Sequence, residues 1–219
     1  MTELILYHHL GLGDHFICNG LVNKVSEQVD ELYLICKEKN FDTVSCLYKD
    51  NYKVNVIKIK EEPQDITLFS SVNNLPILTV GFTDFKNPSF DRSFYVGMGL
   101  DFSLRYSNFK LPKEIENSKN IYDQVVDNVP YCLVHNVCSD GEFNLNIKTD
   151  LNMVYIKPGL TKNLLDYVKV IENASEIHCV DSSVFHLIDS MEVNAKLYFH
   201  DIRSSIDNKI RVSDKWIKV

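Results

Sequence analysis

A chain of 219 residues with 45% hydrophobic and 24% charged residues has material for one large domain or two small ones, each with a real core. That composition excludes collagen-like, coiled-coil and disulfide-miniprotein classes. With 23 basic against 30 acidic residues the formal charge is −7, and the arginines (Arg92, Arg105, Arg203, Arg211) are scattered, which argues against nucleic acid as a partner. No apolar run reaches the roughly 20 residues of a membrane span. The opening Met1-Thr2-Glu3 and the short Leu-Ile-Leu-Tyr run after it lack the basic start and apolar stretch of a signal peptide, so the expectation is a cytoplasmic protein without a transmembrane segment. The six cysteines include no CxxC pair, and in that setting they are expected to be reduced thiols packed as small hydrophobes.

Glu3 to Leu10 (ELILYHHL) reads as a first strand, stopped by Gly11 and Gly13. Phe16, Ile17, Leu21, Val25 and Val29 then recur at helical spacing. Leu32 to Cys36 is a continuous apolar run suited to a buried parallel strand, and Val54 to Ile59 alternates as a strand. Between them Phe41 to Asp50 reads as a short helix. Pro63 stands where first helical turns begin, and Pro76 to Phe82 is a fourth strand. Alternating strands and helices imply βαβ units.

Thr83 to Lys119 differs: it is rich in aromatics (Phe85, Phe90, Phe94, Tyr95, Phe102, Tyr106, Phe109) and ends in an expected linker from Pro112 to Lys119. The α/β pattern then restarts with Tyr131 to Asn136 and Asn152 to Lys157 as strands, and a helix from Lys162 to Glu172 capped by Thr161. Ser175 to Val180 is a strand, Val184 to Met191 the helix after it, and Lys196 to His200 a last strand. The expected fold is α/β: two Rossmann-like halves, 1–115 and 116–219, facing each other across a cleft.

Two turns stand out. Gly11, Gly13 and Asp14 lie between the first strand and its helix, where small residues and first-turn amides favour a polar or anionic ligand. The spacing is neither the dinucleotide fingerprint nor a P-loop. Asp14 has two readings, a helix N-cap or a general base at a cleft. Asp181-Ser182-Ser183 with His186 repeats the strand–turn–helix arrangement in the second half, with two hydroxyls and helix amides to receive a diphosphate. His9, His15, Arg92 and Arg105 are candidates for acceptor contact, although most of the aromatic segment around the arginines suits a core.

Gly11-Leu12-Gly13-Asp14 after the first strand resembles the opening of heptosyltransferase-type glycosyltransferases, glycosyltransferase family 9, of the GT-B fold. Asp181-Ser182-Ser183-Val184-Phe185-His186-Leu187 is similar to that family's Asp-Thr-Gly-Leu-Ser-His-Leu segment. The resemblance implies an acceptor-binding first half and a nucleotide-sugar-binding second half. It implies Asp14 as the catalytic base, and Asp181, Ser182, Ser183 and His186 around the donor diphosphate. Ser183 replaces the family's glycine, and the basic residue expected after the first strand of the second half is absent. His135 and Asn136 stand there instead, and Lys157 or Lys162 is left to supply charge. The chain is also shorter than typical members.

The function expected is therefore an inverting, metal-independent glycosyltransferase, with a nucleotide sugar as co-substrate, a glycan or other hydroxyl acceptor, and no other cofactor. No DxD motif occurs, so no metal ligands are assigned. The alternatives are a nucleotide-sugar epimerase or hydrolase on the same scaffold, and a catalytically silent nucleotide-sugar-binding subunit.

Overall fold

The computed structural model describes residues 2–82, 89–157, 159–202 and 212–219. Phe85, Arg203 and Arg211 of the sequence reading lie outside them. The described residues fall into two compact units, one up to Lys113 and one from Glu114.

The first unit holds β1 (Glu3–Tyr7), α1 (Leu12–Ile17), α2 (Asn19–Ser26), β2 (Glu31–Lys37), α3 (Phe41–Tyr48), β3 (Val54–Ile59), α4 (Gln64–Asn73), β4 (Ile77–Thr79), α5 (Phe90–Val96) and α6 (Leu104–Ser107). Its four strands run parallel in the order β3-β2-β1-β4. Ile5, Ile35 and Ile59 share a core with Ile66 of α4 on one face. The helix expected from Phe16 to Val29 is broken at Cys18, where ψ is −1°, and ends at Ser26. Pro63 is the N-cap residue of α4 rather than part of its first turn. The fourth strand is three residues long, since only Ile77–Thr79 pairs with β1.

The aromatic stretch is largely core. Phe94 and Tyr95 are fully buried, and the Tyr95 hydroxyl donates to the Ile17 carbonyl at 2.7 Å. A Cβ placed on Gly20 would stand 2.0 Å from the Leu104 carbonyl oxygen, so only glycine allows α2 to lie this close to α6.

The second unit holds α7 (Ser118–Val125), β5 (Tyr131–His135), a small hairpin of β6 (Val137–Cys138) and β7 (Gly141–Glu142), then β8 (Asn152–Tyr155), α8 (Val168–Glu172), β9 (Glu176–Val180), α9 (Ser183–Ser190), β10 (Lys196–His200) and β11 (Trp216–Lys218). The main sheet is parallel, ordered β11-β10-β9-β5-β8. Part of the expected linker is thus helical, because α7 begins at Ser118. The helix expected from Lys162 starts as a 3-10 turn at Leu164, and Asn163 is its cap, accepting from the Leu165 amide at 3.1 Å. Thr161 does not cap it, because its hydroxyl donates to the buried Asp166 carboxylate at 2.5 Å.

Behind α9, Asp189 accepts from Ser213 at 2.5 Å and from the Trp216 indole at 2.9 Å. Lys215 Nζ donates to the carbonyls of Ile188, Asp189 and Met191 at 3.1, 2.5 and 2.9 Å, adding to the Met191 amide bond on Ile188 at the helix end.

Candidate functional site

In the second unit, parallel pairing aligns the C-terminal ends of three neighbouring strands. His135 closes β5 opposite Cys179 of β9, and β8 flanks β5 on the other side. The residues just beyond these ends are Asn136, Lys157 and the Asp181–Ser182 turn, so most of the expected donor-binding residues share one sheet edge. Ligands of open α/β sheets bind outside this edge.

Ser182 is the N-cap of α9. Its backbone is extended (φ −163°, ψ 173°), and its Oγ accepts from the Phe185 amide at 3.3 Å. Ser183 opens the helix, one turn before His186. Side chains of a helix lean toward its N-terminus, which brings His186 back over the turn. His186 Nε2 lies 3.5 Å from Asp181 Oδ1, with the imidazole buried and the carboxylate partly open. The turn therefore collects hydroxyl, imidazole and first-turn amide groups in one place.

His135 is buried, its Nδ1 has no protein partner, and burial lowers its pKa to about 4. Asn136 Nδ2 donates to the Phe143 carbonyl at 2.7 Å while its own carbonyl accepts from the Phe143 amide at 2.8 Å, so it braces the hairpin of β6 and β7. The main chain of Lys157 is held by the Tyr167 hydroxyl at 3.2 Å, and its side chain is exposed.

In the first unit, Gly11 is the N-cap residue of α1 and donates its amide to Asp14 Oδ2 at 3.1 Å. A Cβ on Gly11 would meet that oxygen at 2.7 Å, so glycine leaves room for the carboxylate. Gly13 lies in the first turn of the same helix. His9 donates from Nε2 to the Gly81 carbonyl at 2.9 Å and stacks on Phe82, ring centroids 4.5 Å apart.

Two expectations are corrected. His15 is fully buried against His8, ring centroids 4.5 Å apart, and burial holds its pKa well below the usual value. Arg105 is also fully buried, ion-paired at 2.5 Å with the equally buried Asp91 and packed near the Phe102 and Tyr106 rings. Neither is open to a ligand. Arg92 is half-buried, its guanidinium 5.2 Å from the Phe102 ring centre.

The cavity beside α2 and α3, about 560 Å³ and lined by Asn23, Asp50, Asn51 and Lys110 among others, includes none of these candidates. The reading of the sequence missed Asp91, whose charge is legible only with its partner fourteen positions on, and the His178–His200 pair, Nδ1 to Nε2 at 2.9 Å. The signal for that pair was the two-residue alternation of β9 and β10.

No family model and no curated protein matches the sequence. Among solved structures, a glycosyltransferase family 9 protein from Veillonella parvula superposes with a TM-score of 0.63 at 9% identity, covering 100% of this chain and 86% of its own. The iron-containing dodecameric glycosyltransferase TibC from enterotoxigenic E. coli gives 0.61 at 13% identity. That match covers 99% of this chain but 62% of TibC. TibC as a heptosyltransferase in complex with ADP-D-β-D-heptose gives 0.55 at 13% identity, with 99% and 61% covered. At these identities the likeness is one of fold: two parallel α/β units of the kind found in GT-B glycosyltransferases.

Proposed function

We propose that the protein is a glycosyltransferase that moves a sugar from a nucleotide-sugar donor to a hydroxyl acceptor. The observation that carries this reading is the C-terminal edge of the second sheet, where a serine-capped helix start, the Asp181–His186 couple, Asn136 and Lys157 are aligned by strand pairing. The Ser182 and Ser183 hydroxyls with the α9 amides receive the donor diphosphate, and His186 donates to a phosphate oxygen. These groups stabilise charge as the diphosphate departs. Asp14 accepts the proton of the attacking hydroxyl. Its bond from Gly11 fixes the carboxylate while leaving acceptor capacity, because a carboxylate offers about four lone-pair sites. A single carboxylate base fits one displacement with inversion, and the absence of a DxD motif fits a reacting centre without a divalent ion.

A thermal-shift panel of nucleoside diphosphates, followed by label transfer from the matching nucleotide sugar to a glycan extract, tests this. Stabilisation by one diphosphate with transfer supports the reading, and stabilisation by none overturns it. The capping bond of Asp14 favours a second reading, a nucleotide-sugar-binding subunit without turnover. Stabilisation without transfer from that donor selects it.

A further inference from the structure

The other face of the second sheet carries a different chemistry. Tyr131 meets Tyr122 of α7 and donates to the Val170 carbonyl of α8, while Phe199 and Trp216 meet Phe185 of α9. These contacts place the three helices on one face. Strand alternation assigns Cys132, Glu176, His178, Tyr198 and His200 to the opposite one. There Met153 and Ile217 are 42% and 51% exposed.

On that face Cys132, Glu176 and His178 each offer a ligand atom, and these atoms lie within 4.8 Å of one another. Cys132 sits opposite Glu176 across the β5–β9 pair, and His178 follows Glu176 by two positions. His178 is 6% exposed. Its Nδ1 is bonded to His200, while its Nε2 is buried without a protein partner. With Nδ1–H donating to His200, Nε2 presents a bare lone pair in the interior. Glu176 is oriented in turn, since Oε2 accepts from the Thr149 hydroxyl at 2.9 Å.

We propose that Cys132, Glu176 and His178 bind a divalent first-row transition ion of the zinc type. A thiolate, a carboxylate and an imidazole are the donors such an ion takes. At bond lengths of about 2.0–2.3 Å, donors around a tetrahedral ion stand roughly 3.3–3.8 Å apart. The present spacing therefore closes by about 1 Å through side-chain rotation, and water takes the fourth position. His200 bonds Nδ1 of His178 and orients its ring, and Thr149 holds the carboxylate, the supports that metal ligands ordinarily have. Binding converts the Cys132 thiol to thiolate and releases its proton to solvent.

Glu176 begins β9, and Asp181 follows its last residue, which puts the ion, between Glu176 and His178, about 10–16 Å along the strand from the Asp181 turn and on the other face of the sheet. The ion is a tie between β5 and β9 and takes no part at the reacting centre.

The test uses the full chain, stripped with EDTA and titrated with Co²⁺. A thiolate-to-cobalt charge-transfer band saturating at one ion per chain is expected, together with a rise in Tm and displacement of the band by Zn²⁺. Cys132→Ala should abolish the band, and Glu176→Gln should weaken binding by at least about tenfold. His200→Gln should weaken it by roughly 10–100-fold without removing the band. A wild-type chain with no band at millimolar cobalt overturns the proposal, as does a band that survives Cys132→Ala. If the buried Cys132→Ala variant does not fold, half-buried Glu176→Gln decides, and unchanged cobalt affinity there sinks the proposal.

Discussion

The β1–α1 turn and the β9–α9 turn share a plan, a parallel strand followed by small residues and a helix, yet they satisfy their helix starts differently. In the first, the acidic residue lies inside the helix and reaches back to the Gly11 amide. In the second, Ser182 caps forward to Phe185, and Asp181 stays outside the helix beside His186. The histidines diverge as well: His15 is sealed against His8 with neither ring nitrogen partnered, whereas His186 has a carboxylate neighbour. A carboxylate used as a cap is fixed in direction, which suits orienting one hydroxyl. A carboxylate outside the helix leaves hydroxyls and first-turn amides to face an anion. The same turn architecture can therefore present either a carboxylate acceptor or a set of donors.

The comparison breaks most visibly at Asp14. Asn in its place still accepts from the Gly11 amide, so stability should change by less than about 1 kcal/mol while turnover falls roughly 10²–10⁴-fold. Gly11→Ala is the companion, since its Cβ displaces the carboxylate without removing it. It should lose turnover in the same direction at intact donor affinity. Label-transfer kinetics read both, and turnover within a few-fold of wild type reduces Asp14 to a cap.

Acid tests the sealed histidines. Burial lowers His8 to about 4, so between pH 6.5 and pH 4 the unfolded chain binds protons that the folded one refuses. This contribution to stability is complete above pH 6.5 and is lost as pH falls toward 4, a few kcal/mol for His8 in the limit. Denaturant midpoints by circular dichroism at pH 7.5, 6 and 5 should decline in that order. His15→Leu should flatten the decline and hold or raise stability at pH 7.5, because it removes buried ring nitrogens without partners. An unchanged slope would leave the acid sensitivity with His8 and with the second unit, where His135 and His178 are also lowered to about 4 by burial.

The second turn is sharpened by its serines. Ser182→Ala with Ser183→Ala should weaken binding of the matching nucleoside diphosphate by about 1–3 kcal/mol in calorimetry. Unchanged affinity moves the diphosphate toward Asn136. Ser182→Ala alone should cost about 1 kcal/mol of stability through the lost cap, read as a shift in the denaturant midpoint of Trp216 fluorescence. No shift would show that the 3.3 Å contact to Phe185 carries little.

Much of this was legible in the chain. Continuous apolar runs such as Leu32–Cys36 and Tyr131–His135 announced buried parallel strands, and both turns showed themselves as small residues between a strand and a helix. What stayed hidden depends on distant partners. Arg105 reads as a surface cation until Asp91 is beside it, and Thr161 reads as a cap until Asp166 takes its hydroxyl. Strands of two or three residues, β6, β7 and β11, are too short to carry a period. Cys132, Glu176 and His178 are unremarkable letters until the register of β5 and β9 puts them together.

The Lys215 clasp has a practical consequence for handling the protein. A chain cleaved just before Lys215 loses the ammonium that bonds three carbonyls behind α9, and loses β11 with it. The bared flank of β10 then offers an open row of amides and carbonyls to any passing chain, the usual start of self-association. Aged preparations should therefore be checked for intact mass before turbidity is blamed on the whole protein.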